Sequence, residues 1–363
     1  MDIAPFRWWY NISYSKLSRF VIDFACKKNT PNNKNIVFLF TGGFLIIERN
    51  KCKFQYKENA MSGYKFLDKK GTFQLENPEL TSYLYFPIAN ENGVMSSVTP
   101  YLCGDSKMGQ NTFLLAPVSS EDLHNNKSSR NFWCNIRGRG LWSATGRSAM
   151  QQAEIFTKEK EETILEAGIM WHKVIRKSKR SGITSEITNF VPYSGELLEI
   201  MMVTLKNTGD TDLEMIPTAA IPLYGRSADN IRDHRHVTSL LHRITTTRTG
   251  VVLNPTLTFD ERGHQKNTCV YGVFGVEEDG EEPAGFYPTV EEFIGEGGSF
   301  ENPKALADPD MKPRKAGYSV SGYEAIGGIE FQEVRLKKGE EKTYILSLGY
   351  GESQEELEQA AKR

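Results

Sequence analysis

Residues 198–217 read LEIMMVTLKNTGDTDLEMIP. Eight strand-forming residues, Leu198–Leu205, run into Asn207-Thr-Gly-Asp-Thr, and apolar residues resume at Leu213–Pro217. β-branched and long apolar side chains suit a pleated, half-buried surface, and Asn, Gly and Asp are turn formers. The stretch predicts a strand, a turn and a returning strand. The same grammar recurs from Gly71 to Tyr350. Phe331–Leu336 alternates apolar and polar residues, Lys337–Glu340 supplies a turn, and Thr343–Leu348 is expected to pair back. Gln151–Leu165 is ambiguous, because its charge density suits a helix. The alternation of Ile169–Ile175 and the following Gly182 favour two strands around a charged turn. The fold class expected is all-β. About 280 residues exceed an ordinary sandwich, so a very large one of two packed antiparallel sheets is expected.

Composition narrows the function classes. The chain has 363 residues, 25% charged and 39% hydrophobic, and a net charge of −2, which carries no nucleic-acid footprint. Residues 1–60 stand apart: ten Lys/Arg face four Asp/Glu, and none of the six histidines falls there. This segment, 1–60, reads as an atypical leader, with the domain proper starting at Met61. The longest apolar run, Ile36–Ile47, is twelve residues interrupted by Gly42–Gly43. A membrane span needs about twenty, so no membrane partner is expected. Five scattered cysteines without metal-ligand spacing fit free thiols in a reducing cytoplasm. At the other end, ESQEELEQAAKR (352–363) is helical by propensity, with Ser353 as N-cap and Glu356 at capping-box spacing.

The densest polar run is Arg226–Arg243, RSADNIRDHRHVTSLLHR. Forked guanidinium donors beside amide and carboxylate acceptors suit sugar hydroxyls or phosphate. Asn230 offers a donor and an acceptor to vicinal hydroxyls, Arg232 and Arg235 can fork onto oxygens, and Asp233 can accept from a hydroxyl. Two further polar groups occur at Asn125–Arg130 and Asp260–His264. The first either lines a cleft, through Asn126 and Arg130, or locks two strands as a structural turn. The second reads as a tight turn, since adjacent strand residues face opposite sides and Asp260 and Glu261 cannot converge on one bond. His234 and His236 share a face on a strand but find no third ligand at supporting spacing, so no metal is expected. Trp133 and Trp142, set among apolar neighbours, are expected in the core. GEGGS (295–299) lacks the following Lys and helix of a phosphate loop.

Several long stretches carry a resemblance. They are YFPIANENGVMSSVTPYLCGD (85–105), PVSSEDLHNNKSSRNFW (117–133), GLWSATG (140–146), TNFVP (188–192), PTAAIPLYGRSADNIRDHRHVTSLLHR (217–243) and PTLTFDERGH (255–264). EEFIGEGGSFENPKAL (291–306) extends it. Together they resemble the N-terminal domain of glycoside hydrolase family 94, the inverting β-glucoside phosphorylases. The resemblance implies a β-supersandwich over 61–350. It implies that 351–363 begins a helical linker to an (α/α)6 barrel, and that the general acid and the phosphate site lie in that barrel. No residue here is then catalytic and no cofactor is needed, inorganic phosphate being a co-substrate. The partners implied are a β-glucan oligosaccharide or disaccharide and a second subunit, in a homodimer. By the same resemblance, the loop holding Asn230, Arg232, Asp233, His234 and Arg235 reaches the partner's sugar pocket, with Arg226, Asn126 and Arg130 as cleft-lining candidates. The other reading is a stand-alone, non-catalytic carbohydrate-binding or scaffolding sandwich.

Overall fold

The computed structural model describes residues 35–40, 43–48, 51–55, 63–81, 84–119, 128–231, 238–260 and 262–363. The chain divides into two compact units, Met1–Ala60 and Met61–Arg363. In the first, strands Asn35–Phe40, Gly43–Glu48 and Lys51–Gln55 form an antiparallel meander.

The second unit is a β-sandwich of two large antiparallel sheets, one of eleven strands and one built on six, with smaller sheets of four and two strands. The eleven-stranded sheet is centred on the paired strands Leu198–Asn207 and Glu341–Gly351. The other is centred on Leu213–Leu223, flanked by Asn131–Ile136 and Ala325–Glu330. One continuous core fills the space between them. Phe132 from one sheet meets Tyr344 from the other with ring centroids 5.4 Å apart, and Phe331 stacks on Phe132 at 5.9 Å. The expected sandwich is therefore present, with additional small sheets beside it.

The turns after residues 207 and 336 differ from expectation. Each is followed by a strand, but neither strand returns beside its predecessor. Leu198–Asn207 pairs with Ile183–Phe190 and Glu341–Gly351, whereas Leu213–Leu223 lies in the other sheet. Val334–Leu336 pairs with Leu213–Met215, and the next strand crosses back to the eleven-stranded sheet. Two neighbouring chain segments thus change sheet at one corner. Asn207 binds them: its Nδ2 donates to the carbonyls of Thr211 and Leu336 at 2.9 Å, and its backbone exchanges hydrogen bonds with Glu340 and Gly339. Local turn chemistry says that the chain bends there; which sheet receives the next strand depends on core faces brought together from far along the sequence.

The 151–165 stretch also needs correction. Ala149–Glu154 is a helix, and the strand begins only at Glu162. Ser148 and Gln151 form a reciprocal capping box that satisfies orphan donors of the first turn. The strand pair is also not the one expected: Glu162–Gly168 pairs with Trp171–Ser178 about the uncharged Ile169 and Met170, while the charged stretch 158–161 only joins the helix to the first strand. Burial along Trp171–Ser178 alternates residue by residue, as its sequence pattern implies.

At the end of the unit, Gln354–Ala361 is the expected helix, with Ser353 Oγ accepting from Glu356 N at 3.2 Å. It packs against the eleven-stranded sheet, with Leu357 fully buried among Leu198, Val252, Val270 and Phe274. Trp133 and Trp142 are core residues, 0% and 1% exposed. No described helix is long and apolar enough to cross a membrane.

Candidate functional site

The Arg226 cluster begins where the strand Leu213–Leu223 leaves its sheet. Tyr224, Gly225 and Arg226 run beside Thr112–Leu115, linked by Tyr224 N to Leu114 O at 2.6 Å and Phe113 N to Arg226 O at 3.1 Å. Gly225 has φ +61, and a Cβ there would lie 2.5 Å from Leu253 Cδ2, so only glycine fits both the conformation and the space. This close approach sends Arg226 inward. A short 3-10 turn, Ala228–Ile231, follows.

Arg226 is 2% exposed. Its Nη2 donates to Glu324 Oε1 at 2.9 Å, and its guanidinium carbon lies 5.1 Å from the Tyr224 ring centroid. Its Nε and Nη1 are buried and find no hydrogen-bond partner among the described residues. Asn230 is 1% exposed; its Oδ1 accepts from Ser227 Oγ at 3.1 Å, while its Nδ2 is likewise unmatched. Ser227 Oγ also contacts the Phe259 carbonyl. His242 Nδ1 lies 3.1 Å from Tyr323 O, and its Nε2 is unmatched. Burial, reinforced by the Arg226 charge, lowers the His242 pKa to about 3. The imidazole is therefore neutral at physiological pH. Buried polar atoms without partners are uncommon and costly. Several such atoms occur on one loop and the strand that follows it, each without a partner among the described residues.

Arg232, Asp233, His234 and Arg235, together with His236, lie outside the described residues, as does Asn126. Of the expected loop residues, Arg226 and Asn230 are described, and both are buried. Arg130 is elsewhere and does not line a cleft: it is 0% exposed, with its guanidinium on Glu199 and on the carbonyls of Leu102, Gly104 and Asp105. Of the two readings of its loop, the described part, Ser128–Arg130, is interior structure. Leu257–Asp260 and Gly263–Lys266 form the tight hairpin expected of the third polar group.

The sequence alone does not single out Glu324, and His242 is one of three histidines in the 226–243 run. Glu324 lies 98 positions from the arginine it holds, and no local pattern advertises it. His242 begins a strand, where burial rather than spacing decides its character. Among the described residues one carboxylate group, Glu277, Asp279 and Glu281, is close enough to suggest a metal. Lys342 already pairs with two of its members, at 2.6 and 3.0 Å.

The family model of the glycosyl hydrolase 94 supersandwich domain matches residues 110–363. The chain belongs to that family. No curated protein matches it significantly. Among solved structures it is similar to a GalM/aldose epimerase homologue from C. elegans, with 10% identity, a TM-score of 0.41, and coverage of 74% of this chain and 98% of that one. It is also similar to a candidate kojibiose phosphorylase from the human microbiome, with 7% identity, a TM-score of 0.38, and coverage of 80% and 33%. A third is the polysaccharide lyase BACCELL_00875, with 10% identity, a TM-score of 0.34, and coverage of 74% and 31%. The chain thus spans about a third of the phosphorylase and of the lyase it resembles.

Proposed function

We propose that this glycosyl hydrolase 94 supersandwich serves an inverting β-glucoside phosphorylase, as the non-catalytic domain that completes a sugar pocket across a homodimer. The reaction moves a glucosyl unit between an oligosaccharide and inorganic phosphate, giving glucose 1-phosphate and a shortened sugar. In this reading the general acid and the phosphate site belong to a helical barrel outside these 363 residues, and the setting is the cytoplasm. Asn230 contacts sugar hydroxyls, Arg226 stiffens the start of the loop, and Arg232, Asp233, His234 and Arg235 carry the remaining contacts. The observation that carries the reading is the family match over 110–363. The Asn230 Nδ2, which has no hydrogen-bond partner among the described residues, supports the choice of loop.

Incubating the purified chain with cellobiose or a 1,2-β-oligoglucan and phosphate is expected to release no glucose 1-phosphate. Release would overturn the assignment of catalysis to another domain. Calorimetry with the same sugars addresses the stand-alone module. Tight binding abolished by Asn230→Ala would favour that module over a domain that completes a partner's pocket.

A further inference from the structure

A second cleft lies away from Arg226, between the helix Ala149–Glu154 and the hairpin of Glu162–Gly168 with Trp171–Ser178. It encloses about 330 Å³. A smaller recess continues it, the two sharing Gln151, Glu154, Lys160 and Glu161 as walls. Arg176 forms the inner end. It is 6% exposed, with Nη1 3.7 Å from Glu161 Oε2, and its buried Nε has no hydrogen-bond partner among the described residues. Glu161 is fixed by Trp142 Nε1 at 2.8 Å and Gln151 Nε2 at 2.7 Å. Lys160 is fixed by the Asn77 side chain at 2.7 Å and by Glu79. The groups along the wall are thus held in place before any ligand arrives.

The lining selects a ligand class. Five cationic and four carboxylate side chains face the cleft, so a strongly charged ligand of either sign meets repulsion as well as attraction. Met150 is the single apolar side chain of the main cleft, which excludes a hydrocarbon ligand. Donors and acceptors interleaved at near balance match hydroxyl groups, each of which gives and takes a hydrogen bond. Phe156 lies in sequence between the lining residues Glu154 and Lys158 and is 89% exposed, an unusual position for a phenyl ring. An exposed ring two residues from each of two lining residues can offer a platform for the C–H face of a sugar. The volume is at the small end of ligand sites, which run from about 300 to 1,000 Å³. We infer that this cleft binds an uncharged mono- or disaccharide, against Phe156 and with hydroxyls toward Lys160 and Glu161. This site does not depend on the role proposed for Asn230.

The test is saturation-transfer NMR on the 363-residue protein with glucose, galactose, mannose and cellobiose, and with inorganic phosphate as the charged control. At least one sugar is expected to receive saturation on its ring protons. Phe156→Ala, at an exposed position that leaves the fold intact by circular dichroism, is expected to weaken that binding at least fivefold. Asn230→Ala is expected to leave the Phe156-dependent signal unchanged. No transfer to any sugar, binding indifferent to Phe156→Ala, or phosphate displacing the sugar would each overturn the inference. Failure of the phosphorylase reading would leave this signal untouched.

Discussion

Arg130 and Glu199, 69 positions apart, form an ion pair in which both side chains are fully shielded from solvent. Arg130 Nη2 meets Glu199 Oε2 at 2.9 Å, and the same carboxylate oxygen accepts from Ser96 Oγ at 2.6 Å. Asn189 Nδ2 adds a contact at 3.3 Å to the other oxygen. Removing one member of such a pair leaves an uncompensated buried charge, which costs about 3–5 kcal/mol. Glu199→Ala should therefore destabilise the sandwich by that amount in urea denaturation. The double change Arg130→Met with Glu199→Leu should recover most of it, because the desolvation of both charges disappears together. Equal losses for the single and double variants would mean that the network's shape matters more than its charge.

Gly225→Ala probes how the backbone places Arg226. The new Cβ meets Leu253 at a φ that disfavours any side chain, so a loss of about 1–3 kcal/mol is expected. The strain should be local. Hydrogen exchange is expected to quicken at Phe113, whose amide bonds to Arg226 O, while the Leu198–Asn207 strand keeps its protection. Unchanged exchange at Phe113 would show that the 224–228 segment holds without the glycine.

These two sites show what the sequence made legible. Strand content was readable, because alternation at 171–178 and apolar density at 198–205 reflect burial directly. The 226–243 run stands out in the sequence by a polar density out of keeping with its flanks. What escaped depends on distant partners. Arg130 sits in a locally polar run and resembles a surface loop; only Glu199, inside a strand of the opposite sheet, makes it interior. Pairing across the 207–212 and 337–340 turns escaped for the same reason. A turn fixes direction, while sheet membership is chosen by side chains that meet only in the folded core.

Acid should act through two buried histidines. His172 is 0% exposed with neither ring nitrogen bonded among the described residues, and burial, with the Arg130 charge behind it, lowers its pKa to about 3. His242 is also lowered to about 3, by burial and then by Arg226. In the unfolded chain both titrate near ~6.5, so protons favour unfolding. Their stabilising effect is complete above ~6.5 and is lost as the pH falls from there toward about 3. The slope approaches about 1.4 kcal/mol per pH unit for each group. Urea titrations at successively lower pH should show this decline, and His172→Phe should remove roughly half of the histidine contribution. An identical slope in the variant would show that His172 is not the group responsible.

The closing helix supplies the last test. Leu357 is fully buried against Leu198, Val252, Val270 and Phe274, and Ile200, Ala360 and Ala361 pack around that contact. Ser353 caps the first turn, and the Glu356 carboxylate accepts from Glu352 N at 2.9 Å. A helix of eight residues is too short to persist in water by itself, so its order comes from this packing. Leu357→Ala should cost about 2–5 kcal/mol in urea denaturation. Ser353→Ala should cost about 1 kcal/mol. If the helix were only a tether leaving the sandwich, both changes would be silent, and proteolysis at 354–361 would proceed equally fast in the parent and in Leu357→Ala. Protection in the parent that is lost in the variant would make this helix an integral part of the eleven-stranded sheet's outer face.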